Sequence, residues 1–177
     1  RGKIILLLHT LRHLRFVQVY YRLYYYVKNK FFKKNYSKLF LGKINFLRWQ
    51  NLFYFQQSNH SNNTFEFLNL SYKFDKTIDW NYSNYGKLWT YNLNYFDFLN
   101  QENVDTHEGI RLIKNYIENN SLLMDGKEPY PISLRGINWI KFLSRNKISN
   151  IEINQTLYNH YQILLNNLEY HLLGNNI

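Results

Sequence analysis

The stretch EPYPISLRGINWIKFL (Glu128–Leu143) decides the predicted fold, because both prolines of the chain lie in it directly ahead of a helical pattern. Pro129 and Pro131 each bias the preceding residue away from the helical region, so the segment that leads to Ser133 is predicted to be extended. Ser133 is suited to cap a helix by accepting a backbone N–H bond. Apolar residues then recur at helical spacing, at Leu134, Ile137, Ile140 and Leu143. The sequence therefore predicts a helix that begins after Ser133.

The neighbouring stripe of this helix combines a cation, an amide and two aromatic rings, at Arg135, Asn138, Trp139 and Phe142. Two interpretations remain open. An arginine can hold a carboxylate through two parallel hydrogen bonds and an indole can stack on a ring, which suits a sugar that bears a carboxylate. In the other interpretation the tryptophan is buried and the arginine donates to a backbone carbonyl. The candidate substrate-binding residues of this stretch are Tyr130, Arg135, Asn138 and Trp139.

Three blocks of the sequence, in matching order, resemble the N-terminal region of the heparinase II/III-like (alginate lyase-like) polysaccharide lyases. They are WNYSNYGKLWTYNLNYFDFLN (Trp80–Asn100), EPYPISLRGINWIKFL and LEYHLLGNN (Leu168–Asn176). Two weaker matches are HTLRHLRFVQVYYRLYY (His9–Tyr25) and FEFLNLSYKF (Phe65–Phe74). The resemblance implies a helical toroid followed by a β-sandwich region, and β-elimination on acidic polysaccharides.

The resemblance also implies roles for particular residues. Asn175 matches the asparagine that neutralises the uronate carboxylate in such lyases, whereas Asn176 occupies the position of the family's histidine. An amide cannot take up a proton at neutral pH as an imidazole does, which puts proton transfer in doubt. By its position alone, Asn175 is an ordinary helix stop. The resemblance further points Asn92 and Tyr95 into the substrate cleft, while Asn94 stands where the family commonly has histidine.

Composition sets limits on the class of protein. The 177 residues are 45% hydrophobic and 19% aromatic, which is enough to form a core. The absence of cysteine excludes disulfides and thiolate zinc sites. The sequence begins at Arg1 and its one methionine is Met124, so we expect a fragment of a longer protein. The catalytic Tyr and His of the family would follow Ile177, and any divalent metal would bind there. We therefore expect this chain alone to be an inactive part of a carbon–oxygen lyase.

The positive charge is concentrated near the start. Residues 1–50 hold twelve of the 22 Lys and Arg and no Asp or Glu, and the remainder of the chain is close to neutral. A basic leader of this kind is typical of contact with a membrane surface, nucleic acid or an anionic glycan. The pattern predicts a helix over residues 4–27. Its apolar run, Ile4–Leu8, is too short to span a bilayer and the rest is too charged, and the segment is unlike a signal peptide. Its tyrosines favour packing or a peripheral membrane surface over base stacking.

The chain divides into three predicted regions. Residues 1–43 are the basic leader helix and connector, residues 44–75 a small β-hairpin or loop cover with a strand over 64–70, and residues 76–177 the helical body. In the body we predict helices over 88–100, 107–119 and 153–173, the last with Leu157, Tyr161, Leu164 (or Leu165), Leu168 and Leu172 on one face and Gly174 as its stop. The predicted fold class is mainly α, with helices packed in antiparallel hairpins, and the resemblance implies that these hairpins form a partial (α/α) toroid.

Three hypotheses of function follow. The first is the N-terminal part of a polysaccharide lyase that binds a uronate polysaccharide, with the β-sandwich region of the longer protein as partner. The second is a degenerate relative associated with the biosynthesis of a surface polysaccharide, which binds the glycan without eliminating it, as Asn176 suggests. The third is a basic peripheral-membrane or nucleic-acid-binding module built on the leader. The localisation is left open by all three.

Overall fold

The protein is mainly helical, with one small antiparallel sheet. A computed structural model describes residues 14–31, 42–48, 54–60, 62–102, 104–119, 123 and 125–168, without the side chains of Asn29 and His60. The chain forms two compact units, Arg1–Ser37 with Leu165–Ile177, and Lys38–Leu164. The expectation of a mainly helical chain with a small antiparallel sheet is confirmed.

The first unit is built on helix α1 (Phe16–Phe31). The predicted beginning of this helix near residue 4 lies outside the described residues. Lys28 Nζ donates to the carbonyl of Asn166, and the Tyr25 hydroxyl donates to that of Leu168. Much of its apolar surface faces solvent, with Phe16 83% and Leu23 63% exposed. Among the described helices none is long and apolar enough to cross a membrane.

The sheet has three short strands in sequential order: β1 (Asn59–His60), β2 (Thr64–Phe67) and β3 (Leu70–Lys73). The predicted strand over 64–70 ends early, because Leu68 and Asn69 both have positive φ, of 56° and 60°, and form a two-residue hairpin turn. Phe65 and Phe67 alternate with exposed residues and face the core. Their rings lie 5.1 Å from Phe98 and 5.2 Å from Trp89, respectively, so the sheet covers the helical body.

The predicted helix over 88–100 is interrupted. Helix α2 spans Lys87–Tyr95, Phe96 adopts a left-handed conformation with φ of 59°, and a 3₁₀ turn spans Asp97–Asn100. The ring of Phe96 is fully buried and stacks on Trp80 at 4.9 Å. Burial of this ring offsets the cost of a left-handed non-glycine residue, so tertiary packing overrides the local helical pattern.

Helix α3 (Thr106–Glu118) agrees with the prediction over 107–119. The Asp105 carboxylate caps it by accepting from the backbone N–H of His107 and Glu108. Leu112, Ile113 and Tyr116 point into the core. A helix with a capped start and one apolar face is the pattern that sequence predicts best.

Helix α4 (Pro129–Arg145) begins five residues before the predicted start at Leu134. The prediction of an extended segment up to Ser133 was wrong. Pro129 and Pro131 occupy the first turn of the helix, where a backbone N–H has no intrahelical partner and the ring of proline is tolerated. Glu128 is the N-cap residue, and the Ser133 hydroxyl donates to the Tyr130 carbonyl instead of capping the helix.

The buried face of helix α4 also differs from the predicted one. Ile137 is 48% exposed and Ile140 39%, although both belong to the predicted apolar stripe. The stripe that carries Arg135, Asn138, Trp139 and Phe142 packs inward instead. Contacts of this face with helix α2 and the 3₁₀ turn place helix α4 at the centre of the body.

Helix α5 (Ile151–Asn166) starts two residues before its predicted start. Its buried face is Ile153, Thr156 and His160, while Leu157 is partly buried against the core. Of the other residues on the predicted face, Leu164 is partly buried, whereas Tyr161 is 56% and Leu168 40% exposed, so the prediction of this face was correct only in part. The predicted residues Leu172 and Gly174 lie outside the described residues.

Candidate functional site

Arg135 lies in the core and not at the surface. Its side chain is fully buried, and Nη1 donates to the backbone carbonyls of Asn94 at 3.1 Å and Gly126 at 3.0 Å. The guanidinium carbon lies 4.6 Å from the centre of the Tyr116 ring. Burial lowers the pKa of Arg135 from its usual value. Of the two interpretations of this stripe, the structure has the one in which the arginine binds backbone carbonyls.

Asn138 and Trp139 are core residues as well. The Asn138 amide donates to the Tyr95 carbonyl at 2.9 Å, and its backbone carbonyl accepts from Asn100. The Trp139 ring is fully buried, 5.4 Å from Phe96 in an edge-on arrangement. Neither side chain presents a surface on which a sugar ring can stack. As folded here, Arg135, Asn138 and Trp139 tie helices together and do not contact a polysaccharide.

Several polar atoms around Arg135 have no hydrogen-bond partner within the described part of the chain. They are Nε and Nη2 of Arg135, the Tyr116 hydroxyl, Nε1 of Trp139 and Nδ1 of His160. Burial, and to a lesser degree the charge of Arg135, lowers the pKa of His160 well below its usual value of 6.5. The body therefore holds a buried polar cluster in which His160 is neutral at physiological pH.

Tyr95 and Tyr130 are brought together at the surface. Their rings lie 5.8 Å apart and edge-on, and Tyr130 is 59% exposed while Tyr95 is half-buried. Burial raises the pKa of Tyr95 to about 12. Nearby, Lys87 forms ion pairs with both Asp125 at 3.2 Å and Glu128 at 2.9 Å, so this cation is already paired with two carboxylates. The face therefore offers aromatic surface, and its Lys87 is not free to bind the carboxylate of a ligand.

The remaining predicted site residues are separated from this pair. Asn92 is half-buried, donates to the Leu88 carbonyl at 2.8 Å and lines a different, polar cavity described below. Asn175, the predicted neutraliser of the substrate carboxylate, lies outside the described residues, as does Asn176. The six other predicted site residues thus divide into three places: the core, the Tyr95–Tyr130 face and the cavity at Asn92.

A basic cleft that the sequence did not predict lies at the end of helix α4. It has a volume of about 640 Å³ and is lined by the extended segment Ile44–Arg48 and by Ser144, Arg145 and Lys147. The backbone N–H of Leu47 donates to the Ser144 hydroxyl at 3.3 Å and holds the segment against the helix. We call this the basic cleft, because Arg48, Arg145 and Lys147 contribute three positive charges and the described residues of its lining include no Asp or Glu.

Local backbone geometry positions two of these cations. Lys147 follows the C-cap of helix α4 with φ of 52°, and Lys147 and Ile148 donate to the carbonyls of Ser144 and Leu143. This is a Schellman motif with lysine where glycine is usual. Arg145 donates through Nη2 to the Leu99 carbonyl at 3.0 Å, and its guanidinium carbon lies 6.0 Å from the Tyr54 ring. Among the described residues none of the three cations has an ion-pair partner.

A polar cavity of about 190 Å³ lies between the sheet and helix α2. Its lining includes Asn92, Asp97, Ser58 and Phe55, together with amide side chains of neighbouring residues. Burial raises the pKa of Asp97 to about 6, although backbone hydrogen bonds at Phe98 and Asp97 itself lower it in part. Oδ1 of Asp97 and Oγ of Ser58 have no hydrogen-bond partner in the part of the chain that the structure describes.

Comparisons with known proteins supply no family. No protein-family model, curated protein or solved structure matches this chain. Within the described ranges no group of three or more His, Cys, Asp or Glu side chains is placed to hold a metal ion. The expectation that any metal binds beyond Ile177 stays a prediction. The function is therefore inferred from the geometry of the two cavities and the exposed tyrosines.

Proposed function

We propose that this chain is the N-terminal helical part, a partial (α/α) toroid, of a heparinase II/III-like polysaccharide lyase, and that it binds a uronate-containing polysaccharide through the basic cleft. The observation that carries the proposal is the open cleft with Arg48, Arg145 and Lys147 and no acidic residue among the described residues of its lining. A carboxylate or sulfate on a sugar is the ligand that such a set of cations prefers.

In this proposal the anion is bound by the basic cleft and not by Arg135. A fully buried guanidinium bound to two carbonyls stabilises the fold, whereas the cations of the basic cleft remain accessible to a large ligand. Tyr54 is 50% exposed beside Arg145 and adds an aromatic ring to the same surface. Aromatic rings that lie beside cations are suited to a ligand with an apolar ring face and a charged substituent.

The elimination chemistry requires residues beyond those of the cleft. Removal of the weakly acidic C5 proton of a uronate needs a neutralised carboxylate, a base, and an acid for the leaving oxygen. Asn175 is proposed as the neutralising group, and the Tyr and His of the longer protein as base and acid. We expect no unsaturated product, followed by its absorbance, when this chain alone is incubated with heparan sulfate or alginate. Robust turnover would refute this division of roles.

The binding test uses charge removal at the rim of the cleft. Oligogalacturonate is titrated into the protein and into the double variant Arg48→Gln/Lys147→Gln, with Lys114→Gln as control, because Lys114 is an exposed lysine of helix α3 outside the cleft. The dissociation constant of the double variant should rise by about tenfold and that of the control should not change. Added salt should weaken wild-type binding more than that of the double variant. Equal affinities in all three proteins would end the proposal.

A degenerate relative that binds the glycan without eliminating it is the second candidate. Asn176 in place of the family's histidine favours it. The complete protein distinguishes the two, since a lyase forms unsaturated ends and a degenerate relative binds the same oligosaccharide without product. Restoring histidine by Asn176→His in the complete protein should then produce turnover if only this position limits proton transfer.

A peripheral-membrane role of the leader is the third candidate, favoured by the exposed apolar side chains of helix α1. Cosedimentation with anionic vesicles tests it, with Leu23→Ser in helix α1 compared with Leu88→Ser in helix α2, which are 63% and 58% exposed. Loss of binding only in Leu23→Ser supports the role. Loss of vesicle binding in both variants, or in neither, contradicts it.

A further inference from the structure

The polar cavity at Asn92 differs in chemistry from the basic cleft. Its lining includes four amide side chains, at Gln56, Gln57, Asn69 and Asn92. An amide both donates and accepts hydrogen bonds, as a sugar hydroxyl does. The titratable side chains in the lining are two acids, Glu66 and Asp97, so an anionic ligand would meet like charge there. The cavity is therefore suited to an uncharged, hydroxyl-rich ligand.

We propose that this cavity binds an uncharged sugar ring, through hydrogen bonds from its hydroxyl groups to Asp97 and Asn92 and through contact with the ring of Phe55. The proposal rests on the proposed function only in taking the ligand to be a glycan. The ring of Phe55 is 40% exposed at the edge of the cavity, and aromatic rings pack against the apolar faces of sugars.

Unsatisfied atoms make the wall of the cavity polar. Oδ1 of Asp97 and Oγ of Ser58 are buried and have no partner among the described residues, whereas Asp97 as a whole is only partly buried, so a ligand would meet the accessible side of its carboxylate. A ligand hydroxyl can donate to the Asp97 carboxylate, which is a stronger bond than one between neutral groups. The raised pKa of Asp97, about 6, agrees with a carboxylate that lacks a full set of donors.

The cavity is also linked to the basic cleft through adjacent residues. Tyr54 lies beside Arg145 of the cleft, and the next residue, Phe55, lines the cavity. Phe55 is further held by Lys141, whose Nζ lies 5.8 Å from the ring centre, and by a bridge to Gln101. Consecutive residues of one segment therefore lie beside the cleft and in the lining of the cavity.

The test measures uncharged and charged oligosaccharides separately. Cellohexaose, xylohexaose and hexa-N-acetylchitohexaose are titrated into the full chain at neutral pH, with Asp97→Asn and Asn92→Ala as variants. Glu118→Gln is the matched control, because Glu118 is an exposed carboxylate of helix α3 outside both sites. We expect at least one of the three to bind, with a dissociation constant that rises by about tenfold in each variant and is unchanged in the control. Asp97→Asn keeps the shape of the side chain and removes a partly buried charge, and its thermal unfolding midpoint separates a loss of binding from a loss of folding.

The pH profile gives a second readout. Hydroxyl groups donate to the ionised form of Asp97, so affinity should fall as the pH is lowered through about 6, and this dependence should disappear in Asp97→Asn. A dependence that persists in that variant would contradict the role of Asp97. No binding of any uncharged hexasaccharide, or binding unaffected by both variants, would overturn the proposal.

The outcomes separate this inference from the proposed function. Binding of an uncharged hexasaccharide without binding of oligogalacturonate refutes the role of the basic cleft and leaves the cavity assignment standing. Binding of oligogalacturonate alone leaves the proposed function standing and refutes the cavity assignment. The double variant Arg48→Gln/Lys147→Gln should leave the affinity for uncharged ligands unchanged, since both residues lie outside the cavity lining.

Discussion

Replacing Gly109 by alanine tests the packing of helix α3 on helix α4. A Cβ atom at this position would lie 2.3 Å from Cζ and 2.8 Å from Cε2 of Phe142. The Phe142 ring is fully buried, so it cannot turn into solvent to make room. Gly136 in helix α4 is the matched control, because nothing lies within 4 Å of its Cβ position. Both glycines are helical, and the two substitutions therefore differ only in the space available.

The magnitude follows from two opposing terms. Alanine is favoured over glycine in a helix by about 1 kcal/mol, and this gain applies at both positions. Overpacking of a core by one methyl group costs about 1–3 kcal/mol, and the approach of 2.3 Å places the cost at Gly109 in the upper part of this range, about 2–3 kcal/mol. We expect Gly136→Ala to raise the free energy of unfolding by up to about 1 kcal/mol and Gly109→Ala to lower it by about 1–2 kcal/mol.

Urea denaturation measures both changes from the midpoints, provided that the slope of the transition stays constant. The double variant Gly109→Ala/Phe142→Leu checks the cause, because leucine removes the atoms nearest to the new methyl group. Its free energy of unfolding should exceed the additive expectation by about 0.5–3 kcal/mol. If Gly109→Ala is as stable as the unmodified protein, or if the double variant is strictly additive, the packing described for these helices is wrong.

Two further predictions concern single residues. Lys147→Gly should stabilise the fold by about 0.5–1 kcal/mol, because relief of the left-handed strain exceeds the added freedom of the unfolded chain. The same substitution should weaken oligogalacturonate binding. A loss of stability in thermal unfolding would contradict the turn geometry. His160 remains neutral when folded and becomes protonated in the unfolded chain below its usual pKa of 6.5, so its contribution to stability is full above that pH and declines as the pH falls. His160→Gln should reduce this decline in the free energy of unfolding, which is at most about 1.4 kcal/mol per pH unit. An unchanged pH profile of the urea midpoints would contradict the burial of the neutral ring.

Sequence reasoning located helix α3 well, because its cap residue and apolar face are local signals. It failed at Phe96, where a buried ring stacked on Trp80 decides the backbone and no glycine or proline marks the break. It also chose the wrong face of helix α4. Pattern methods assume that a charged side chain faces water, and Arg135 faces carbonyl groups supplied by residues distant in sequence.

The candidate site was predicted only in part. Tyr95 and Tyr130 do lie together, although 35 positions separate them in the sequence, and Asn92 lines a cavity. The basic cleft had no sequence signal, because Arg48 and Arg145 come from segments whose proximity depends on the complete fold. The sequence also contains no signal for the unsatisfied oxygen of Asp97, since the presence of an aspartate does not indicate whether it is buried.

The contacts of Arg135 and Asn138 explain how helix α2 ends without a stop signal of its own. The last carbonyl groups of any helix lack partners inside it, and here those of Asn94 and Tyr95 accept hydrogen bonds from two side chains of helix α4. The side chains that terminate helix α2 thus lie in helix α4, about forty residues later in the chain. An isolated peptide of residues 80–100 would lack these donors, and transplanting this segment into another protein would require helix α4 to accompany it.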